Sequence, residues 1–235
     1  MSALPTISHP IISIEIPSTH ETRTFRPYLV KEEKILLIAS ESKNLGEYMI
    51  AIMQVIQNCD IKGTLDATKL SMLDVEWVFI KLRASSVNNI VTQIFTDNED
   101  NSKHKIDIDL NEVKIIYPEG HSNKIIINEH MGLIMKYPGI NKKVFNDTNK
   151  VNQLVNVIKE SVDKLWNNEE IYSFKDHTEE EVDAFLDQLP PSFYSQFREF
   201  IATIPRLNYD ITFTNTKGVE RKIVLSTLQD FFNLV

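Results

Sequence analysis

Cysteine occurs once in this 235-residue chain, at Cys59. No disulfide can therefore form within it, and no thiolate cluster can hold a structural metal. Glycine is nearly as sparse, with six in all, and none belongs to a phosphate-cradling loop or a G-x-S-x-G elbow. The six histidines, His9, His20, His104, His121, His130 and His177, are dispersed. No two stand three or four apart, as ligands on one helix face would. The longest unbroken apolar run is the six residues Tyr48 to Met53, against roughly 20 residues for a bilayer span. Met1 to Pro10 lacks the basic and apolar regions of a signal peptide. These absences lead us to expect a soluble protein made and folded in a cytoplasm, with no membrane, cofactor, metal or small-molecule substrate.

Positive charge is also in short supply. Lys and Arg number 25 against 33 Asp and Glu, for a net charge of -8. A duplex binder gains affinity by neutralising phosphates, and this chain on balance repels them. The pair Lys142-Lys143, with Lys136 and Lys150 nearby, reads as ordinary solvated surface. Nucleic acid is not the expected partner.

What is present suits a folded protein. The hydrophobic fraction is 42% and the charged fraction 25%, and a chain of this size can bury about 70% of its unfolded surface. Ile12, Ile14 and Ile16 alternate with polar residues as a half-buried strand, followed by an extended piece over Thr22–Phe25. Residues 31–41, apolar on most sides, predict a buried helix. Residues 45–57 form an amphipathic helix on Leu45, Tyr48, Met49, Ile52, Met53 and Ile56. A third helix, 72–84, carries Leu73, Trp77, Val78, Ile80 and Leu82.

Beyond it the period changes from 3.6 to 2. Val91–Phe95, His104–Leu110, Val113–Tyr117 and Lys124–Ile127 read as successive antiparallel strands, two of them joined by the turn Pro118-Glu119-Gly120, with Gly132–Tyr137 a further strand. After Pro138-Gly139 and a polar stretch to Asp147 comes a helix striped by Val151, Leu154, Val155, Ile158, Val162, Leu165 and Trp166. A second opens on a Thr178/Glu181 capping box, and a third carries Phe193, Phe197, Phe200, Ile201 and Ile204. A hairpin over 207–225 and a short helix with a Ser226/Gln229 capping box close the chain. The expected fold is α+β, with antiparallel β-hairpins and buried helices followed by a mostly helical C-terminal part with a terminal hairpin. The expected domains are 1–138 and 147–235.

Few residues suggest chemistry. Asp107 and Asp109 share one face of a strand whose other face is apolar, which makes them its solvated side. Asp97, Glu99 and Asp100 lack the glycine and the distal glutamate of a calcium loop and read as a polar hairpin tip. Cys59, near a helix end, suits a small buried apolar role better than a nucleophile. Nothing forms a catalytic constellation, so a non-catalytic role is expected.

Specific strings say more. Phe25-Arg26-Pro27-Tyr28-Leu29-Val30-Lys31-Glu32-Glu33-Lys34 and Asp74-Val75-Glu76-Trp77-Val78-Phe79-Ile80-Lys81-Leu82-Arg83-Ala84-Ser85-Ser86-Val87 resemble segments of T-even-type bacteriophage baseplate hub proteins of the gene-twenty-six type. Leu133-Ile134-Met135-Lys136-Tyr137-Pro138 and Leu228-Gln229-Asp230-Phe231-Phe232 fit the same pattern, in the same order. The resemblance implies a hub subunit acting in assembly of the contractile tail baseplate. Its alternative is a transient tail or hub assembly chaperone, for example for the tape-measure protein, absent from the mature virion. Either way the implied partners are other phage baseplate hub or tail proteins. The implied location is the host cytoplasm during assembly, with the virion tail baseplate as the hub subunit's destination. Family members with Cys pairs in the hairpin at 95–104 would carry a zinc-ribbon-like tip; here Thr96, Asp97, Asn98 and Asp100 stand there.

The last helix offers the candidate contact. Leu228, Phe231, Phe232 and Val235 fall at i, i+3, i+4 and i+7, one apolar face on a helix too short to stand alone in water. It must dock, on its own hairpin or in a partner's groove. The expectation is that Phe231 packs inward and Phe232 lies at a rim open to a partner.

Overall fold

Alternation of apolar and polar residues, helix caps and turn residues divide the chain into seven α-helices and eleven strands among the described residues. The computed structural model describes residues 7–141, 144–145 and 147–232. In chain order these elements are β1 (Ile12–Glu15), β2 (Thr22–Phe25), α1 (Val30–Glu41), α2 (Leu45–Cys59) and α3 (Met72–Ser86), then β3 (Ile90–Thr96), β4 (Lys103–Asp109), β5 (Lys114–Ile116), β6 (Lys124–Asn128) and β7 (Met131–Met135). Next come α4 (Lys150–Ser161), β8 (Val162–Asn167), β9 (Glu170–Tyr172), α5 (Glu179–Leu186), α6 (Ser192–Thr203), β10 (Arg206–Thr214), β11 (Glu220–Leu225) and α7 (Leu228–Phe232). The fold is α+β, as expected.

The strands make four small sheets: β1-β2, β3-β4, β11-β10-β5 and β6-β7-β8-β9. Two compact units result. One is the chain up to Ile115 together with the chain from Leu207 onward; the other is Ile116–Arg206. This cut does not fall where the sequence suggests a domain boundary, because the closing hairpin and helix return to the N-terminal elements. The turn at Pro118–Gly120 accordingly links β5 and β6, which belong to different sheets and are not neighbours.

In the first unit, α2 and α3 supply the core. Ile52, Val55, Ile56 and Cys59 of α2 and Val75, Val78, Ile80 and Leu82 of α3 are all fully buried. Ser71 caps α3 in a capping box with Asp74. The helix α1 departs from expectation: it buries only Glu32 and Leu36, while Val30, Leu37 and Ile38 are 73%, 57% and 70% exposed. Five consecutive apolar residues point in every direction around a helix, and this fold covers one side of them.

The second unit is built on its four-stranded antiparallel sheet. Ile125, Leu133, Met135, Ile158, Val162, Phe193, Phe197 and Phe200 form its buried core. The expected helix beyond Val151 ends at Ser161, and Val162–Asn167 is a strand instead. Val162, Leu165 and Trp166 continue a helical spacing, but pairing with β7 and β9 satisfies their backbone and overrides it. Asn168, in left-handed backbone at φ 54°, makes the tight turn into β9. Leu165, on the face shared with Leu133, packs against the core, whereas Val151 at the start of α4 is 67% exposed.

Candidate functional site

Three of the four singled-out strings come together in the first unit. Arg26 and Glu32 form a paired-nitrogen ion pair, with Arg26 Nη2 2.9 Å from Glu32 Oε1 and Nη1 3.2 Å from Oε2. The Leu29 N–H donates to the same carboxylate at 2.9 Å, so Glu32 caps the first turn of α1. Arg26 also donates to the carbonyls of Pro27 and Asn58, tying the β2–α1 connection to the end of α2. Burial alone would raise the Glu32 carboxyl. The Arg26 and Leu29 hydrogen bonds, with the charges of Arg26 and Lys31, hold it below the usual range.

The second string is equally committed. Asp74, fully buried, accepts from the Ser18 N–H at 2.8 Å and hydroxyl at 2.7 Å, and from the Ser71 N–H at 2.9 Å and hydroxyl at 2.6 Å. It fastens the β1–β2 turn to the start of α3. Two residues on, Glu76 accepts from the Leu228 N–H at 3.2 Å, holding the last helix. Ser86 accepts from the Tyr28 N–H at 2.9 Å, joining the first two strings. Phe79 stacks parallel to Tyr28 at 6.4 Å and meets Phe232 edge-on at 5.9 Å.

The four candidate contact residues fare differently. Leu228 and Phe231 are buried, at 1% and 0% exposure, and Phe231 lies edge-on to Tyr209 of β10. Phe232 is half-buried against Phe79, and Val235 lies outside the described residues. The cap of α7 is shifted by one residue from the expected Ser226/Gln229 box. Asp230 accepts from the N–H groups of Ser226 and Thr227, both at 2.8 Å, and its own N–H donates to the Thr227 hydroxyl at 3.4 Å. Gln93 of β3 donates to the Asp230 carbonyl at 2.9 Å and closes the dock.

A second polar cluster contains the hairpin tip of Asp97, Glu99 and Asp100, whose tie to Arg221 escaped sequence reasoning. Asp97, at the β3–β4 tip, is 3% exposed and pairs with Arg221 of β11 at 2.5 Å. Arg221 also pairs with Glu99, while Asn215 and Thr216 donate to Asp97 and Asp100. The Arg221 bond, then backbone and Asn215 donors, hold Asp97 well below the usual carboxylate range against its burial. Carboxylates and cation here satisfy one another and bind two hairpins together. No group of three or more His, Cys, Asp or Glu among the described residues is placed to hold a metal ion.

The remaining candidates are similarly engaged. Asp107 accepts from the Thr92 hydroxyl and Asp109 from the Asn89 amide, both across the β3–β4 pair. Burial pushes the Cys59 thiol up to about 12, against the opposing charge of Arg26, which leaves it protonated and poorly nucleophilic. In the second unit, His121 Nδ1 lies 2.9 Å from the Thr203 hydroxyl between the rings of Tyr137 and Phe200, and burial lowers its pKa. A mostly apolar cleft of about 290 Å³ opens between the sheet and α5, lined by Met131, Leu165, Tyr172, Phe174 and Phe185 among others. No helix among the described residues is long and apolar enough to cross a membrane.

A family model described as T4 bacteriophage base plate protein matches residues 9–233. No curated protein and no solved structure matches the chain.

Proposed function

Since the chain belongs to the T4 bacteriophage base plate protein family, we propose that it is a non-catalytic subunit of the baseplate hub that takes part in assembling the contractile tail. The observation that carries this reading is the family match over residues 9–233. The disposition of polar residues supports it. Arg26, Glu32, Asp74, Glu76, Asp97 and Arg221 are all engaged in ties within the chain. The apolar stripe Val30, Leu37 and Ile38 on α1, by contrast, is left facing solvent, a surface suited to protein contact. Its partners are other hub or tail proteins, met in the host cytoplasm, and Phe232 at the rim of the α7 dock is a further contact.

Mass spectrometry of purified virions and of tail-assembly intermediates tests the reading. A hub subunit is present in both at constant ratio to the other baseplate proteins. Presence in intermediates with absence from virions would make the chain an assembly chaperone instead. Absence from both, with normal tails formed without it, would refute a baseplate role.

A further inference from the structure

The sheet of the second unit has two faces, and only one is covered. Leu133, Leu165 and Ile125 share the face that packs on the core. Strand alternation therefore sends their neighbours to the other side. There the register aligns Ile126 with Gly132, Gly132 with Trp166, and Trp166 with Ile171. One row thus crosses all four strands, about 14 Å at the usual strand spacing. Its two ends are open, with Ile126 at 50% and Ile171 at 65% exposure.

Gly132 gives this row its shape. A Cβ placed there would fall 2.7 Å from the Trp166 ring and 2.6 Å from the Ile125 carbonyl oxygen. The indole therefore lies directly against the glycine, and the row is an apolar shelf between two isoleucines. The adjacent row on the same face is Lys124, Ile134 and Lys164, again in direct register, with both lysines exposed. Neither row contains a carboxylate. Glu170 belongs to the opposite face, in register with Asn167, and its carboxylate accepts from the Tyr172 hydroxyl. On a chain of net charge -8 this face is a local exception, apolar along one row and cationic along the next.

We propose that this sheet face docks an amphipathic helix of another tail protein, one whose apolar stripe is bordered by carboxylates. The proposal rests on the baseplate reading above and adds to it the surface and the chemistry of the partner. The shelf matches the roughly 10–12 Å width of a helix with its side chains. The lysine row selects the partner's flank, since complementary charge at an interface edge sets orientation and encounter rate. Three isoleucines to a single aromatic suit an aliphatic stripe better than stacked bases, and the acidic chain disfavours nucleic acid.

The test places the photo-crosslinking residue p-benzoylphenylalanine at position 171 of the full chain during phage assembly, and identifies the crosslinked peptides by mass spectrometry. The same residue at position 126 samples the other end of the shelf. The expected result is a crosslink from both positions to one helical segment of a different tail protein, with apolar residues at i, i+3 or i+4 spacing flanked by Asp or Glu. Reversal of charge in Lys124→Glu with Lys164→Glu should lower crosslink yield about ten-fold while the melting curve stays in place. Crosslinks to DNA, RNA or a second copy of this chain would overturn the proposal, as would yields indifferent to charge reversal. A chain present in tail intermediates but silent at both positions sinks the docking face alone. A chain absent from intermediates and virions sinks the baseplate reading and this proposal with it.

Discussion

Glu76 gives the sharpest test of how the last helix is held. Burial, reinforced by the charge of Asp230 and opposed by the Leu228 N–H, pushes its carboxyl from an ordinary 4.5 up to about 7. The folded state therefore holds this proton more tightly than the unfolded chain does. The resulting stability is fully present below pH 4.5 and is lost as the pH rises through 7. At about 1.4 kcal/mol per unit, the loss between pH 4.5 and pH 8 is at most roughly 3 kcal/mol. Glu76→Gln keeps an oxygen to accept from Leu228 but cannot ionise, so it mimics the protonated form at every pH. The variant should match wild type near pH 5 and exceed it by up to about 3 kcal/mol at pH 8. Urea unfolding followed through Trp77 fluorescence, in a Trp166→Phe background so that the signal comes from the first unit, measures the difference. A difference that stays flat from pH 5 to pH 8 would refute the reasoning.

Other substitutions probe the same framework. Phe231→Ala empties a fully buried site and should cost about 3–5 kcal/mol by the Trp77 signal. Phe232→Ala, which removes one edge-on ring contact, should cost only about 1 kcal/mol while reducing co-assembly with tail proteins; no effect on either would remove Phe232 from the interface. Gly132→Ala drives a methyl into the Ile125 carbonyl and the Trp166 ring, and should destabilise the second unit by about 1–3 kcal/mol, read by Trp166 fluorescence. Limited proteolysis should cut first within 139–147, part of which lies outside the described residues. The equally polar tip at 97–103 should resist longer, because Arg221, Asn215 and Thr216 hold it.

Elements whose side chains settle their own direction were legible in the sequence. The stripe of α2 and the alternation of Ile106, Ile108 and Leu110 against Asp107 and Asp109 each name one buried face, and the fold covers that face. Residues 35–39 name no face, so their pattern alone predicts a buried helix. Only the rest of the fold determines that Leu36 goes in while Leu37 and Ile38 stay out. Val162, Leu165 and Trp166 follow a helical period in sequence, yet the strand sends Leu165 to the core face and Trp166 to the other. What separates strand from helix there is a partner strand about thirty residues upstream, with the local hint confined to Asn167-Asn168. The Asp97–Arg221 pair, 124 positions apart, has no local signature at all.

The strings that carried the family resemblance prove instructive for a different reason. Their polar residues are charged, closely spaced and set among apolar neighbours. In the structure Arg26 and Glu32 answer each other, Asp74 answers two serines, and Glu76 answers a backbone N–H. Such residues specify how the chain closes on itself, so a substitution among them is expected to loosen the fold. Surfaces that touch other proteins must then be sought among residues the fold does not use. Leu37 and Ile38 lie just beyond the first string. Ile126, Trp166 and Ile171 lie outside all four, and only the pairing of four strands brings them into one row. A contact surface assembled by register in this way leaves no contiguous mark in the sequence, whereas a tie between a cap and its helix does.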